Sequence, residues 1–281
     1  MNVRQLTPSR RTIAAAAAMI GTVSLAIGAH AALNMRALDT AKSVATQSAN
    51  PAAQPSRLAL VIGNGHYPDA NAPLTQSIND ARALSAALRK SGFDVDMVED
   101  ASKDDMVRAV SRLKSRIRHD SVVMLFFGGY GVQAGRESYM LPVDAVIWKE
   151  RDVRRNGISI ESVLDMMKEQ GARARLVVVD ASRRNPYERR FRSYSHGLAP
   201  IAAPDNALIL SSNAPGKVAD DVQGEHSVLV SELLNNLDAQ AGVESAFNKT
   251  RSAISRASEG EQIPSLSSSL REDVRLGDAG G

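Results

Sequence analysis

Val122-Val123-Met124-Leu125-Phe126-Phe127, closed by Gly128-Gly129, is an unbroken apolar run that ends on two glycines. A strand with one wet face alternates apolar and polar residues. A run with no alternation fits a strand covered on both faces, as in a parallel sheet. The pattern returns in Leu58-Ala59-Leu60-Val61-Ile62, closed by Gly63-Asn64-Gly65, and again in residues 176–179 and 207–210. Between these runs the apolar spacing becomes helical. Leu84, Ala87 and Leu88 share one stripe, with Asn79 or Asp80 placed to cap it and Gly92 to stop it. Residues 93–98 alternate as an edge strand does. Ser102 and Asp105 have capping-box spacing ahead of Met106, Val107, Val110, Leu113 and Ile117. Ser159 precedes a helix with Val163, Leu164 and Met167 inward, and residues 227–237 and 243–257 read as two more helices. Buried strands alternating with amphipathic helices define an α/β fold with a mostly parallel central sheet and helices on both faces. Such folds bind ligands at the carboxyl ends of the strands. That singles out three loops: 63–69, 128–135 and 180–187.

Composition narrows the chemistry. Aromatic residues make up 4% of the 281, so the core rests on Ala, Val, Leu and Ile. There is no cysteine, so no disulfide, thiolate metal site or Cys nucleophile exists, whatever the compartment. The five histidines are scattered without metal-ligand spacing, no P-loop is present, and Gly63-Asn64-Gly65 lacks the third glycine of a dinucleotide fingerprint. No metal and no cofactor is expected. The formal charge is +3, and Arg4, Arg10 and Arg11 supply all of it. A mature chain near neutrality gives no case for nucleic acid.

Those three arginines precede an uncharged, Ala-rich stretch from 12 to 29, followed by Ala29-His30-Ala31. A positive segment, an apolar segment and a small-x-small site form the three parts of an export signal. Ser9-Arg10-Arg11-Thr12-Ile13 also resembles a twin-arginine signal. If uncleaved, the same stretch is an inner-membrane anchor, and both alternatives put the rest of the chain in the periplasm or beyond. The expected organisation is a signal over 1–31, a flexible linker over 32–56 with Pro51 and Pro55, one domain over 57–276 and a short tail over 277–281.

The three loops resemble those of the caspase-like peptidases of metacaspase and orthocaspase type. Leu60-Val61-Ile62-Gly63-Asn64 with Tyr67 is similar to the family's first strand and turn, and Ile78-Asn79-Asp80-Ala81 to its next motif. Phe126-Phe127-Gly128-Gly129-Tyr130-Gly131-Val132-Gln133 aligns with a segment that carries the family's catalytic His. Tyr139 and Leu141-Pro142-Val143-Asp144 match the segment after it. Val179-Asp180-Ala181-Ser182-Arg183-Arg184-Asn185-Pro186-Tyr187 aligns with the segment that carries the catalytic Cys, and Gly197-Leu198-Ala199 and residues 211–219 fit the family's next loop and strand. The resemblance implies a caspase-like fold and cysteine-type endopeptidase activity. It places the His at Tyr130 and the Cys at Ser182.

A hydroxyl is hardly ionised near neutral pH and needs a base, and a neutral phenol is a poor one. Arg183 favours an anion but accepts no proton. The resemblance therefore implies a pseudopeptidase. One alternative is a rebuilt serine centre cleaving after Arg or Lys, with Ser182 as nucleophile, His66 or His196 as base and the Gly129 and Gly131 backbone as oxyanion donors. Another is a packed Tyr130–Ser182 pair filling the old cleft. A third is a retained cleft for basic peptide, in which Asp180 lines an Arg or Lys pocket, as the family implies, and Asp220 or Asp221 adds a second carboxylate. Arg183, Arg184, Arg189, Arg190 and Arg192 form a basic stretch that is solvated, cleavable by trypsin-like proteases or fitted to an acidic partner. The expected partner is a basic peptide, a protein or an active relative of this chain, and a membrane only through an uncleaved anchor.

Overall fold

The computed structural model describes residues 56–68, 73–181, 197–218, 224–237 and 241–277. The expected signal, linker and tail lie outside them, apart from Ser56 and Gly277. No helix among the described residues is long and apolar enough to cross a membrane.

The elements run β1 (Arg57–Gly63), α1 (Thr75–Lys90), β2 (Asp94–Glu99), α2 (Lys103–Arg116), β3 (Val122–Gly128), β4 (Gly131–Ala134), β5 (Glu137–Met140), α3 (Glu150–Asn156), β6 (Ile158–Ser159), α4 (Ile160–Glu169), β7 (Ala174–Asp180), β8 (Ala207–Ser211), α5 (Val228–Asn236), α6 (Val243–Ala257) and β9 (Ser265–Ser268). Six strands form the main sheet in the order β2-β1-β3-β7-β8-β9, and β4-β5-β6 form a second, small sheet. All main-sheet pairs are parallel except β8–β9. The fold is α/β, as the unbroken apolar runs require.

Strand parity sorts the core into two faces. Leu60, Ile62, Leu125, Phe127, Val177 and Val179 meet Met106 and Leu113 of α2 and Val163, Leu164 and Met167 of α4. Val61, Met124, Phe126, Leu176 and Val178 meet Leu84 and Leu88 of α1, Leu229 and Leu233 of α5, and Phe247 and Ile254 of α6. A third cluster under the small sheet gathers Tyr67, Tyr130, Val132, Tyr139, Leu141 and Val153.

Several local expectations meet their geometry. Ser102 accepts from the Asp105 amide while Asp105 accepts from the Ser102 amide, closing the capping box on α2. Ser159 and Ser227 cap α4 and α5 through the amides of Ser162 and Val230. One expectation fails. α1 begins at Thr75, so Asn79 and Asp80 lie inside the helix and cap nothing. Their side chains are taken by contacts across to residues 225–227 instead. Strand β7 also starts earlier than its apolar run and takes in Arg175, which is 2% exposed. Burial holds its guanidinium below the usual range, against the attraction of Asp205 and Asp165.

Candidate functional site

Register brings the three suspect loops together. Gly63 pairs with Gly128, and Gly128 pairs with Asp180, so β1, β3 and β7 end level at one edge of the sheet. Ser182, His196, Asp220, Asp221 and the arginines between 183 and 192 lie outside the described residues. The geometry of the site therefore rests on Asn64, His66, Tyr67, Asp80, residues 128–131, Asp180 and His226.

Tyr130 lies in the two-residue link between β3 and β4 and is 5% exposed. Its ring stands edge-on to Tyr67, with centroids 4.8 Å apart and planes at 67°, an arrangement favoured by the ring quadrupoles. The Tyr67 hydroxyl accepts from the Tyr130 amide (3.0 Å) and donates to the carbonyl of Leu141 (3.0 Å). Asn64 reinforces the turn. Its side chain donates to the same Leu141 carbonyl (3.1 Å) and accepts from the Ala101 amide (2.9 Å). Leu141 in turn donates to the Tyr130 carbonyl (3.0 Å). Tyr130 is thus a core residue, its amide held by the Tyr67 hydroxyl and its carbonyl by the Leu141 amide. Replacing Tyr67 by Phe removes the acceptor of the Tyr130 amide, and this substitution is expected to cost about 1–3 kcal/mol, measured as a shift in urea midpoint.

The expected oxyanion donors are otherwise engaged. Gly129 N–H donates to the carbonyl of Asp180 and Gly131 N–H to that of Ala181, both at 3.2 Å. With the Tyr130 amide on Tyr67, all three amides of this turn already have acceptors, and an oxyanion would have to displace a backbone bond. A side chain at Gly129 would meet the Tyr67 hydroxyl at 2.6 Å, and one at Gly131 would meet Leu198 at 2.6 Å and Ala181 at 2.9 Å. Close packing explains both glycines.

His66 turns away from this turn. Its Nδ1 lies 2.6 Å from Asp100 Oδ2, and Asp100 Oδ1 accepts from the amides of Gly65 (2.8 Å) and His66 (2.9 Å). Burial pushes the Asp100 carboxyl up, but these bonds outweigh it and hold it below the usual range. Asp100 follows β2, and β1 and β3 separate β2 from β7. Three strand spacings amount to about 14 Å. The Asp100 contact holds the imidazole on the β2 side of its loop.

Asp180 closes β7. It has the parity of Leu176 and Val178, on the sheet face covered by α1, α5 and α6, and is 3% exposed. A second carboxylate, Asp80 on α1, is fully buried and feels the charge of Asp180. Burial first, and then the negative charge of Asp180, push the Asp80 carboxyl up to about 6, against hydrogen bonds from Ser227 and His226. The sequence offered Asp220 or Asp221 as second carboxylate. Asp80 was legible as part of Ile78-Asn79-Asp80-Ala81 but has there the local signature of a helix cap. Two buried carboxylates within reach of each other's charge make it costlier to ionise Asp80. No group of His, Asp and Glu among the described residues has the geometry to hold a metal ion.

Comparison with known proteins accords with this layout. The chain matches the caspase domain family over residues 56–275. It is 28% identical over 146 residues to the mucosa-associated lymphoid tissue lymphoma translocation protein 1 homolog of Mus musculus, covering 50% of this chain and 17% of that protein. With its Homo sapiens counterpart it shares 28% over 136 residues, covering 47% and 16%. The chain thus aligns with about a sixth of these relatives' length. The family match spans the whole main sheet, including the level strand ends that carry Tyr130 and Asp180, and so this chain belongs to the caspase domain family.

Proposed function

We propose that this chain is an exported, catalytically silent member of its family that binds basic peptide segments, as a binding or regulatory module. One observation carries the reading: Tyr130, where the resemblance puts the proton shuttle, is buried, while Asp180 at the end of β7 acts by its charge on a second buried carboxylate, Asp80. Peptide-bond cleavage needs a nucleophile, a base and free oxyanion donors. Tyr130 is packed, His66 is committed to Asp100, and the turn's amides are bonded. Recognition needs only the carboxylates, Asp80 on α1 and Asp180 at the end of β7. Export is supported by the arginine-led, Ala-rich beginning of the sequence, with periplasmic release or an inner-membrane anchor as its two forms.

Calorimetric titration with short peptides tests the reading. A peptide with one central Arg is expected to bind, and its Gln counterpart to bind at least about tenfold more weakly, as expected when a charge-assisted bidentate bond is lost. Asp180→Asn should weaken the Arg peptide by a similar factor. Equal affinities for the Arg and Gln peptides would contradict the proposal. Turnover that depends on Ser182 would support the rebuilt serine centre in its place.

A further inference from the structure

Gln76, Asn79 and Asp80 occupy i, i+3 and i+4 on α1 and so share one stripe of the helix. All three hold the same short segment. Gln76 Nε2 donates to the carbonyls of Gly224 (3.0 Å) and His226 (3.4 Å), and Asn79 Nδ2 donates to that of Glu225 (3.2 Å). Asp80 Oδ1 lies 3.0 Å from His226 Nδ1, and its two oxygens accept from the Ser227 amide at 3.2 and 3.3 Å. Ser227 is also the cap of α5, so this segment sets where α5 begins. The carbonyls of residues 224–226 are thus occupied by side chains of another element.

Asp80 belongs to both arrangements. It is half of the acidic pair and the anchor of the segment. Both of its oxygens are already engaged, so a guanidinium seeking a bidentate bond must displace His226, whose side chain is 25% exposed. A guanidinium is permanently charged and can take both carboxylate oxygens at once, which the single imidazole nitrogen on Asp80 cannot. We infer that residues 224–227 are a latch on the acidic site, with the Asp80–His226 contact as its lock, and that a cationic ligand takes Asp80 from His226 and frees the segment from α1. The inference rests on the basic-peptide reading above. Among the described residues the charged and titratable groups at this junction are Asp80 from α1, Asp180 from β7, and Glu225 and His226 from the segment. Acid also loosens the latch, since a proton on Asp80 removes the anionic acceptor, but it abolishes the attraction for the ligand as well. Opening by ligand is therefore a neutral-pH event.

Hydrogen exchange of the full chain at pH 7.5, with acetyl-arginine amide as probe, tests this. At saturating probe, the amides of residues 227–231 are expected to exchange about tenfold faster, as for a locally opened segment. In parallel, Gln76→Ala/Asn79→Ala removes latch donors and spares both carboxylates. It is expected to bind the probe about fivefold more tightly, the coupling released when a competing contact is lost. Binding by the double variant alone would support the latch in its strongest form. Exchange that is unchanged or slowed in the probe-bound protein, with equal affinity in the double variant, overturns the latch and leaves basic-ligand binding standing. Absence of binding in both proteins overturns both.

Discussion

Asp80→Asn is expected to stabilise the protein at pH 7.5 by up to about 3 kcal/mol, the linkage value of a carboxyl raised from 3.8 to about 6. The sign is set by the direction of the shift. Because the folded state holds the Asp80 proton more tightly than the unfolded chain does, this group favours folding below about pH 4. That contribution is lost as pH rises through about 6, where the buried carboxyl is forced to ionise beside Asp180. Asparagine keeps an acceptor for the Ser227 amide and removes the repulsion. Urea unfolding should show the variant and the wild type alike near pH 4, with the variant ahead at pH 7.5. Glu161, which burial also pushes up, leaves a smaller slope of the same sign in both proteins. A variant clearly less stable at pH 7.5 would mean that the bonds from His226 and Ser227 to the ionised carboxylate outweigh its burial and its neighbour. Gain in stability with loss of basic-peptide binding is the pattern of a site that retains strain for recognition.

Gly63→Ala is expected to be the most damaging small substitution at the site, costing about 3 kcal/mol, the upper part of the range for overpacking a rigid core. Its Cβ would lie 2.6 Å from the Ala81 Cβ and 2.6 Å from the Ser77 carbonyl oxygen, neither of which can swing aside. Helix α1 would have to lift from β1, carrying Asp80 away from Asp180. The urea midpoint should fall, and affinity for an Arg peptide should fall with it. A stable variant that binds normally would show that α1 can shift without disturbing the acidic pair.

The main sheet was legible because its strands are covered on both faces. Residues 58–62, 122–127 and 207–210 could only be buried runs, and α6 was legible from end to end because its apolar stripe is continuous. The small sheet was not. Val132, Tyr139 and Ile158 sit on strands of four, four and two residues, too short to display a period. Strand β9 reads Ser-Leu-Ser-Ser, which carries almost no apolar signal and pairs only because β8 offers an edge. At the site, position and chemistry separated. Tyr130 and Asp180 were singled out by the family resemblance, and the structure describes both as buried. The surroundings of Asp80 were hidden, because an Asn-Asp pair before an apolar stripe has the local signature of a cap, and only the tertiary fold shows that the helix starts earlier and that the carboxylate lies on His226 and Ser227, within reach of the charge of Asp180. His66 illustrates the reverse case: its loop is the expected one, but Asp100, distant in sequence, decides which way the ring turns.

The most direct test of the silent-site account is hydrolysis of fluorogenic peptides with Arg or Lys before the scissile bond, run on the purified protein beside a Ser182→Ala variant that controls for contaminating proteases. The account predicts the same background rate from both. Turnover by the wild type that disappears in Ser182→Ala would contradict it and would establish a serine peptidase on this fold.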